Sequence, residues 1–204
     1  MHIGSLDISQ KNGIYYIINH INENKQFYIL FDSFELERND FSSIQSIVSL
    51  KDFLINNHFN NDIVSQFLKS LYKQLNFIIK KKYSISFIDI SDIMVVNNDK
   101  FLFCNFEKLI QINNKKQITI TQTYDKKNRF IPREFMKNYI IPMTIPYTSF
   151  YYSLGSIIIY CLQYHTDKKI SSYNLLQQHK YNKFFFTINN FLNIEPSKRF
   201  FILF

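Results

Sequence analysis

A chain of 204 residues is long enough to bury one sizeable core and short for two ordinary domains. Its 46 % hydrophobic and 18 % aromatic content excludes an intrinsically disordered protein. The net charge of +8 is mainly lysine in origin; there are only four arginines, no alanine and no tryptophan, whereas Ile, Asn, Lys, Phe and Tyr abound, a bias toward A/T-rich codons. Base readout and bidentate phosphate recognition lean on arginine, and the lysines are dispersed, the densest runs being 80–82 and 115–116. The charge therefore predicts a solvated basic surface and argues against nucleic acid as the partner.

The N-terminal third opens with two β-rich runs, 13–21 and 25–34, joined by the polar turn Asn22-Glu23-Asn24 and expected to form an antiparallel pair. Ser49-Leu50-Lys51-Asp52 has the form of a capped start to a short helix ending near His58. A longer helix is predicted from about Asp62 to Lys80, because Ile63, Val64, Phe67, Leu68, Leu71, Leu75, Ile78 and Ile79 recur at helical spacing. The period then changes. Segments 85–90, 92–96 and 100–106 are expected as strands, the last two around the turn Asn97-Asn98-Asp99, and 117–123 alternates cleanly as another.

Residues 124–149 are polar, then punctuated by Pro132, Pro142 and Pro146. Beyond them 150–164 is apolar on nearly every side, as in a helix buried at the centre of a domain. Helices at 172–179 and 183–192 and a short terminal one over FFILF complete the chain. The fold class expected is α+β, mainly helical. Cys104 and Cys161 lie in apolar runs without metal-like spacing and predict buried thiols in a reducing compartment. The start, MHIGSLDISQ, has no basic or apolar region of a signal peptide, and 150–162, broken by Ser153, Gly155 and Ser156, is short of the ~18–20 residues that span a bilayer. An intracellular, cytoplasmic protein with no membrane span is expected.

Strand pair, helices, strand hairpin, loop, buried helix and peripheral helices follow one another as in a protein kinase from its fourth strand onward. The segment SDIMVVNNDKFLFCNFE resembles the kinase stretch from the catalytic loop to the DFG motif. Pairing Asp92 with the loop's metal-binding Asn puts Asn105, thirteen positions later, at the DFG Asp, Phe106 at its Phe and Glu107 at its Gly. FIPREF (130–135) is similar to the APE motif, with Glu134 as its Glu; Ser153-Leu154-Gly155 matches the SLG of the family's buried helix; and NIEPSKRF (193–200) resembles the terminal DPxxR element through Arg199. The set resembles the divergent kinase-like proteins of large DNA viruses. The resemblance covers roughly 14–200 and implies one kinase-like domain over 1–204, with a β-strand remnant of the small lobe and a hinge-like segment in 1–45 and the helical large lobe in 46–204.

The same resemblance implies that catalysis is lost. A kinase needs a Gly-rich loop, a strand lysine, a base Asp and two magnesium-holding groups. No GxGxxG occurs here, and the region before residue 14 has no room for the strands carrying the lysine. The base position falls on Phe87, leaving Asp89 as a vestigial candidate, and the metal pair is exchanged to Asp92 and Asn105. One carboxylate without a phosphate cradle is a poor magnesium site. No catalytic residue, cofactor or metal site is therefore assigned. Glu134 and Arg199 are expected to form a structural ion pair, with Ser153 and Gly155 as structural positions of the buried helix; the helix Asp that anchors the catalytic loop is replaced by Phe150. The five histidines show no ligand spacing.

Three functional classes remain from the sequence. The first is a pseudokinase, an interaction or scaffold module whose bare cleft face is covered by a protein partner or a second copy. The alternatives are an atypical serine/threonine protein kinase or nucleotide-binding protein with residual ATP and magnesium binding through Asp89, Asp92 and Asn105, and a basic nucleic-acid-associated protein.

Overall fold

The longest apolar stripe in the sequence becomes the longest helix, and the core is built around it and a second, more deeply buried one. The computed structural model describes residues 5–11, 14–21, 24–30, 46–137, 140–166, 171–180, 182 and 184–202, with side chains from residue 46 onward apart from those of residues 106, 137, 172 and 173. Strands β1 (Ser5–Lys11), β2 (Ile14–Ile21) and β3 (Asn24–Leu30) form an antiparallel meander in which Ile17 of β2 lies between Ile8 and Tyr28. The expected pair is thus a three-stranded sheet, and residues 31–34 of the second run, like the hinge-like segment to residue 45, lie outside the described residues.

Strand β4 (Ile47–Ser49) leads into helix α1 (Leu50–Asn56). Ser49 caps it, its hydroxyl accepting from the Asp52 N–H at 3.0 Å and donating to the Asp52 carboxylate at 2.7 Å. Helix α2 (Asn61–Lys80) starts at Asn60, whose side chain accepts from the backbone of Asp62 and Ile63. It buries Val64, Phe67, Leu68, Leu71, Leu75 and Ile78 along one stripe, and in that stripe Gln74 accepts from the Phe103 N–H at 2.8 Å.

Past α2 come β5 (Tyr83–Ile85), β6 (Ile93–Val96) and β7 (Lys100–Phe103), with β4, β6 and β7 in one antiparallel sheet. Asn97 (φ 51°) and Asn98 (φ 61°) make the left-handed turn of the β6–β7 hairpin, closed by the Asp99 N–H on Val96 O. The strand expected over 85–90 stops at Ile85. Residues 86–89 are irregular and a single 3₁₀ turn covers Ile90–Asp92, because the Asp89 and Asp92 carboxylates cap each other's backbone and withdraw it from any ladder.

Strand β8 (Leu109–Gln111) pairs with β5, and β9 (Gln117–Ile120) with β10 (Met143–Pro146). Helix α3 (Arg133–Lys137) lies between, followed by α4 (Phe150–Gln163), α5 (Ser172–Gln178) and α6 (Phe185–Phe191). No helix forms over Phe200–Ile202: Phe201 packs on Tyr72, Tyr151 and Phe191, and the Thr187 hydroxyl donates to Ile202 O at 2.8 Å. The rest of that terminal helix lies outside the described residues.

The main core gathers α1, α2, α4 and α6 with β6 and β7; a smaller one holds Ile118, Ile120, Ile131, Phe135, Met143 and Ile145 between β9–β10 and α3. Cys104 and Cys161 are both buried, and burial pushes the Cys161 thiol far up from its ordinary value. The architecture is α+β with small antiparallel sheets. Among the described residues no helix is long and apolar enough to cross a membrane.

Helix α4 packs against the end of α6 at Gly155. A Cβ there would stand 2.9 Å from Leu192 Cδ2 and 3.1 Å from Phe191 Cβ. Alanine's better helix propensity, about 1 kcal/mol, works against overpacking of about 1–3 kcal/mol. We expect Gly155→Ala to lose about 1 kcal/mol in chemical denaturation, and a gain in stability would show that α6 yields freely.

Candidate functional site

The turn after β5 and the end of the β6–β7 hairpin bring three polar side chains to one point. Asp92, only 4 % exposed, closes the 3₁₀ turn, and its own carbonyl accepts from the Cys104 N–H at 2.8 Å. The hairpin register then sets Asn105 opposite it, the Asn105 amide donating to Asp92 Oδ1 at 2.8 Å. The other carboxylate oxygen, Oδ2, receives the Asp89 N–H at 2.7 Å and Lys108 Nζ at 2.5 Å. Lys108 reaches back because residues 106–108 form a 3₁₀ turn, and its ammonium also lies 4.0 Å above the centre of the Phe87 ring.

Asp92 and Asn105 therefore meet, the two positions that the resemblance paired, but as partners of each other and of Lys108. Nothing in the sequence distinguishes Lys108 from the other lysines; only the turn that returns it to Asp92 does. Asp89 faces differently. It accepts from the Ser91 backbone and hydroxyl and from the Asn128 amide. Burial alone would raise its pKa, but the Ser91 N–H, the Asn128 amide, the Ser91 hydroxyl and the Lys108 charge outweigh that and hold it below the ordinary carboxylate value.

These residues do not fit a magnesium–nucleotide site. Asp92 has both oxygens engaged and its charge matched by an internal ammonium, and the neighbouring Phe87 offers that ammonium only an apolar ring. Among the described residues no group of three or more His, Cys, Asp and Glu side chains is arranged to hold a metal. The histidines are less scattered than their spacing suggests, for His58 and His165 bring their rings to 4.3 Å and His165 Nε2 lies 3.1 Å from Asn57 O. Both are exposed at the ends of α1 and α4.

Glu134 and Arg199 also meet. Arg199 is 1 % exposed, and its guanidinium forks onto Glu134, Nη2 to Oε1 at 2.6 Å and Nη1 to Oε2 at 3.1 Å. Its remaining donors reach Asn193 O at 2.8 Å, Ser149 O at 3.3 Å and Ile194 O at 3.4 Å. The Thr148 hydroxyl adds a bond to Pro196 O, so the 193–199 turn is tied to the start of α4 twice. Ser149 and Ser153 are buried one turn apart, and their hydroxyls have no hydrogen-bond partner among the described residues.

No protein-family model matches the chain, and no curated protein matches it.

Two outcomes follow from the buried charges. Glu134→Gln and Arg199→Met should each cost ~3–5 kcal/mol in denaturant unfolding, the double variant well under their sum; additive losses would mean that the pair is not coupled. Asp89, with its pKa depressed on folding, contributes stability that is fully present above the unfolded-state value of about 4 and is lost as pH falls from there through its lower folded-state pKa. The stability gap between the native chain and Asp89→Asn should accordingly be open at pH 7 and close in acid, and a gap unchanged at pH 3 would contradict the assignment.

Proposed function

We propose that the chain is a protein-kinase-like, catalytically inactive interaction module. The observation that carries this reading is the saturation of Asp92, the carboxylate that the resemblance pairs with the family's metal position, by Lys108, Asn105 and the Asp89 N–H. An ammonium at 2.5 Å from that carboxylate already supplies the positive charge that a divalent cation would bring. Displacing it would strand Lys108 against Phe87 and cost charge pairing in a site that is nearly closed to water.

The kinase-like part of the reading is supported by elements in the family's order. The loop carrying Asp92 precedes a β-hairpin; Asn105 follows it; Glu134 pairs with Arg199; and a buried helix carries Ser153-Leu154-Gly155. The pair holds the segment before α4 to the turn after α6, a structural task that survives the loss of chemistry. Interaction is then the function left to the lobe.

A thermal-shift titration tests the inactive reading. A ligand that binds only the folded state at 100 times its Kd adds about 2.7 kcal/mol of stability. ATP with magnesium should leave the melting temperature of the native chain unchanged at millimolar concentration. Stabilisation that grows with ligand and disappears in Asp92→Ala would sink the inactive reading in favour of residual nucleotide binding.

A further inference from the structure

Strands β8 and β9 start as a hairpin and fail to close. At the turn, Asn113 N–H donates to Gln117 O at 2.9 Å and Gln117 N–H to the Asn113 side chain at 3.0 Å. Continuing that register two residues at a time would set Gln111 opposite Thr119 and Leu109 opposite Thr121. Neither pair forms, and the two strands belong to different sheets.

Their hydrogen-bonding parity shows what is left over. The flanking bonds Ser86 N–H to Lys108 O and Ile112 N–H to Lys82 O place Ile110 in the bonded pair with β5, so the peptide groups of Leu109 and Gln111 point away from it. In the same way Tyr147 N–H to Lys116 O turns Ile118 and Ile120 toward β10 and leaves Thr119 and Thr121 facing outward. Among the described residues these four peptide groups have no hydrogen-bond partner. Two unpaired edges in matching register therefore confront one another.

Between them lies a cleft of about 380 Å³, lined by both edges together with Phe87, Lys108, Tyr124 and Phe135. The aromatic rings wedge it open: Phe135 packs edge-on against Phe87 at 5.8 Å and against Tyr124 at 4.8 Å, and the Tyr124 hydroxyl is fixed on Phe135 O. Each strand is also anchored elsewhere, β8 on β5 and β9 on β10, so direct closure would drag one of them off its sheet. An extended chain takes about 3.3 Å of length per residue, about 4.8 Å between strands and roughly 10 Å through both faces, on the order of 160 Å³ per residue. Two to three residues fill the gap.

We propose that this splayed hairpin is a strand-insertion site that takes an extended, proline-free peptide segment of a partner protein. The facing edges specify the occupant, since alternating N–H and C=O groups on both sides are matched only by another strand. The partner would place apolar or aromatic side chains at alternate positions on the Phe87–Tyr124–Phe135 floor, and polar ones outward beside exposed Gln111, Thr119 and Thr121. This deepens the interaction-module reading and rests on it.

The test uses the full chain and a phage-displayed library of random dodecapeptides, followed by amide hydrogen exchange with the most enriched peptide after synthesis. Proline-free, alternating sequences should be enriched, and exchange at Leu109, Gln111, Thr119 and Thr121 should be fast in the free chain and at least tenfold slower with peptide. Thr121→Pro removes an N–H that is unbonded in the free chain; it should melt like the native chain and bind at least tenfold more weakly, whereas Thr121→Val, which keeps the N–H, should bind normally. The inference is overturned by equal binding to Thr121→Pro, by no enrichment, or by protection elsewhere. It is overturned too by amides already slow in the dilute free chain, which means a closed hairpin, or slowed by raising chain concentration alone, which means a second copy. The nucleotide titration fails separately: stabilisation by ATP removes the inactive reading, whereas unprotected edges remove the peptide site and leave that reading standing.

Discussion

Three separate segments of the chain converge on the Arg199 side chain. A guanidinium that is 1 % exposed cannot shed its proton, so every donor must find an acceptor inside the protein. It finds them on Glu134 of α3, on Ser149 at the start of α4 and on the 193–199 turn. These segments lie up to 65 residues apart in sequence. With the Tyr152 ring 5.2 Å from its guanidinium carbon, the side chain closes the small core around α3 onto the large one around α4.

The second buried charge works by the same logic and has the opposite consequence for chemistry. Asp92 could be desolvated only with partners, and it acquired three within the protein. A carboxylate so supplied is rigid, neutralised and closed to an outside cation. The neighbouring Phe87 continues the theme, since its ring receives the Lys108 charge on one side and Phe135 on another. The corner around Asp92 is a packed junction, while open space lies next door, between β8 and β9.

Much of this was legible in the chain. Helices α1 and α2 fall where the Ser49 cap and a three-to-four residue apolar repeat put them, and α4 where a run apolar on nearly every side put it. The β6–β7 turn was marked by its asparagines, which tolerate positive φ. Strands β8 and β10, only three and four residues long, offer too little alternation to stand out, and β1 carries just Leu6 and Ile8 as apolar residues. The run 85–90 looked like a strand because Ile and Phe recur in it; the carboxylates of Asp89 and Asp92 decided otherwise. Asp92, Asn105, Glu134 and Arg199 stood out through the resemblance, whereas Lys108 and the His58–His165 contact did not, since neither has a spacing that marks it.

By itself, then, the sequence determined most of the local elements and the burial of Cys104 and Cys161, because capping and apolar periodicity act on residue type alone, whereas Glu134 and Arg199 were singled out only by the resemblance. Only the tertiary structure decided which lysine neutralises Asp92, and that β8 and β9 splay apart. Both depend on where anchored strands and turns carry the backbone: a 3₁₀ turn returns Lys108 to the carboxylate, and separate pairings with β5 and β10, held apart by three aromatic rings, leave two edges facing across a gap.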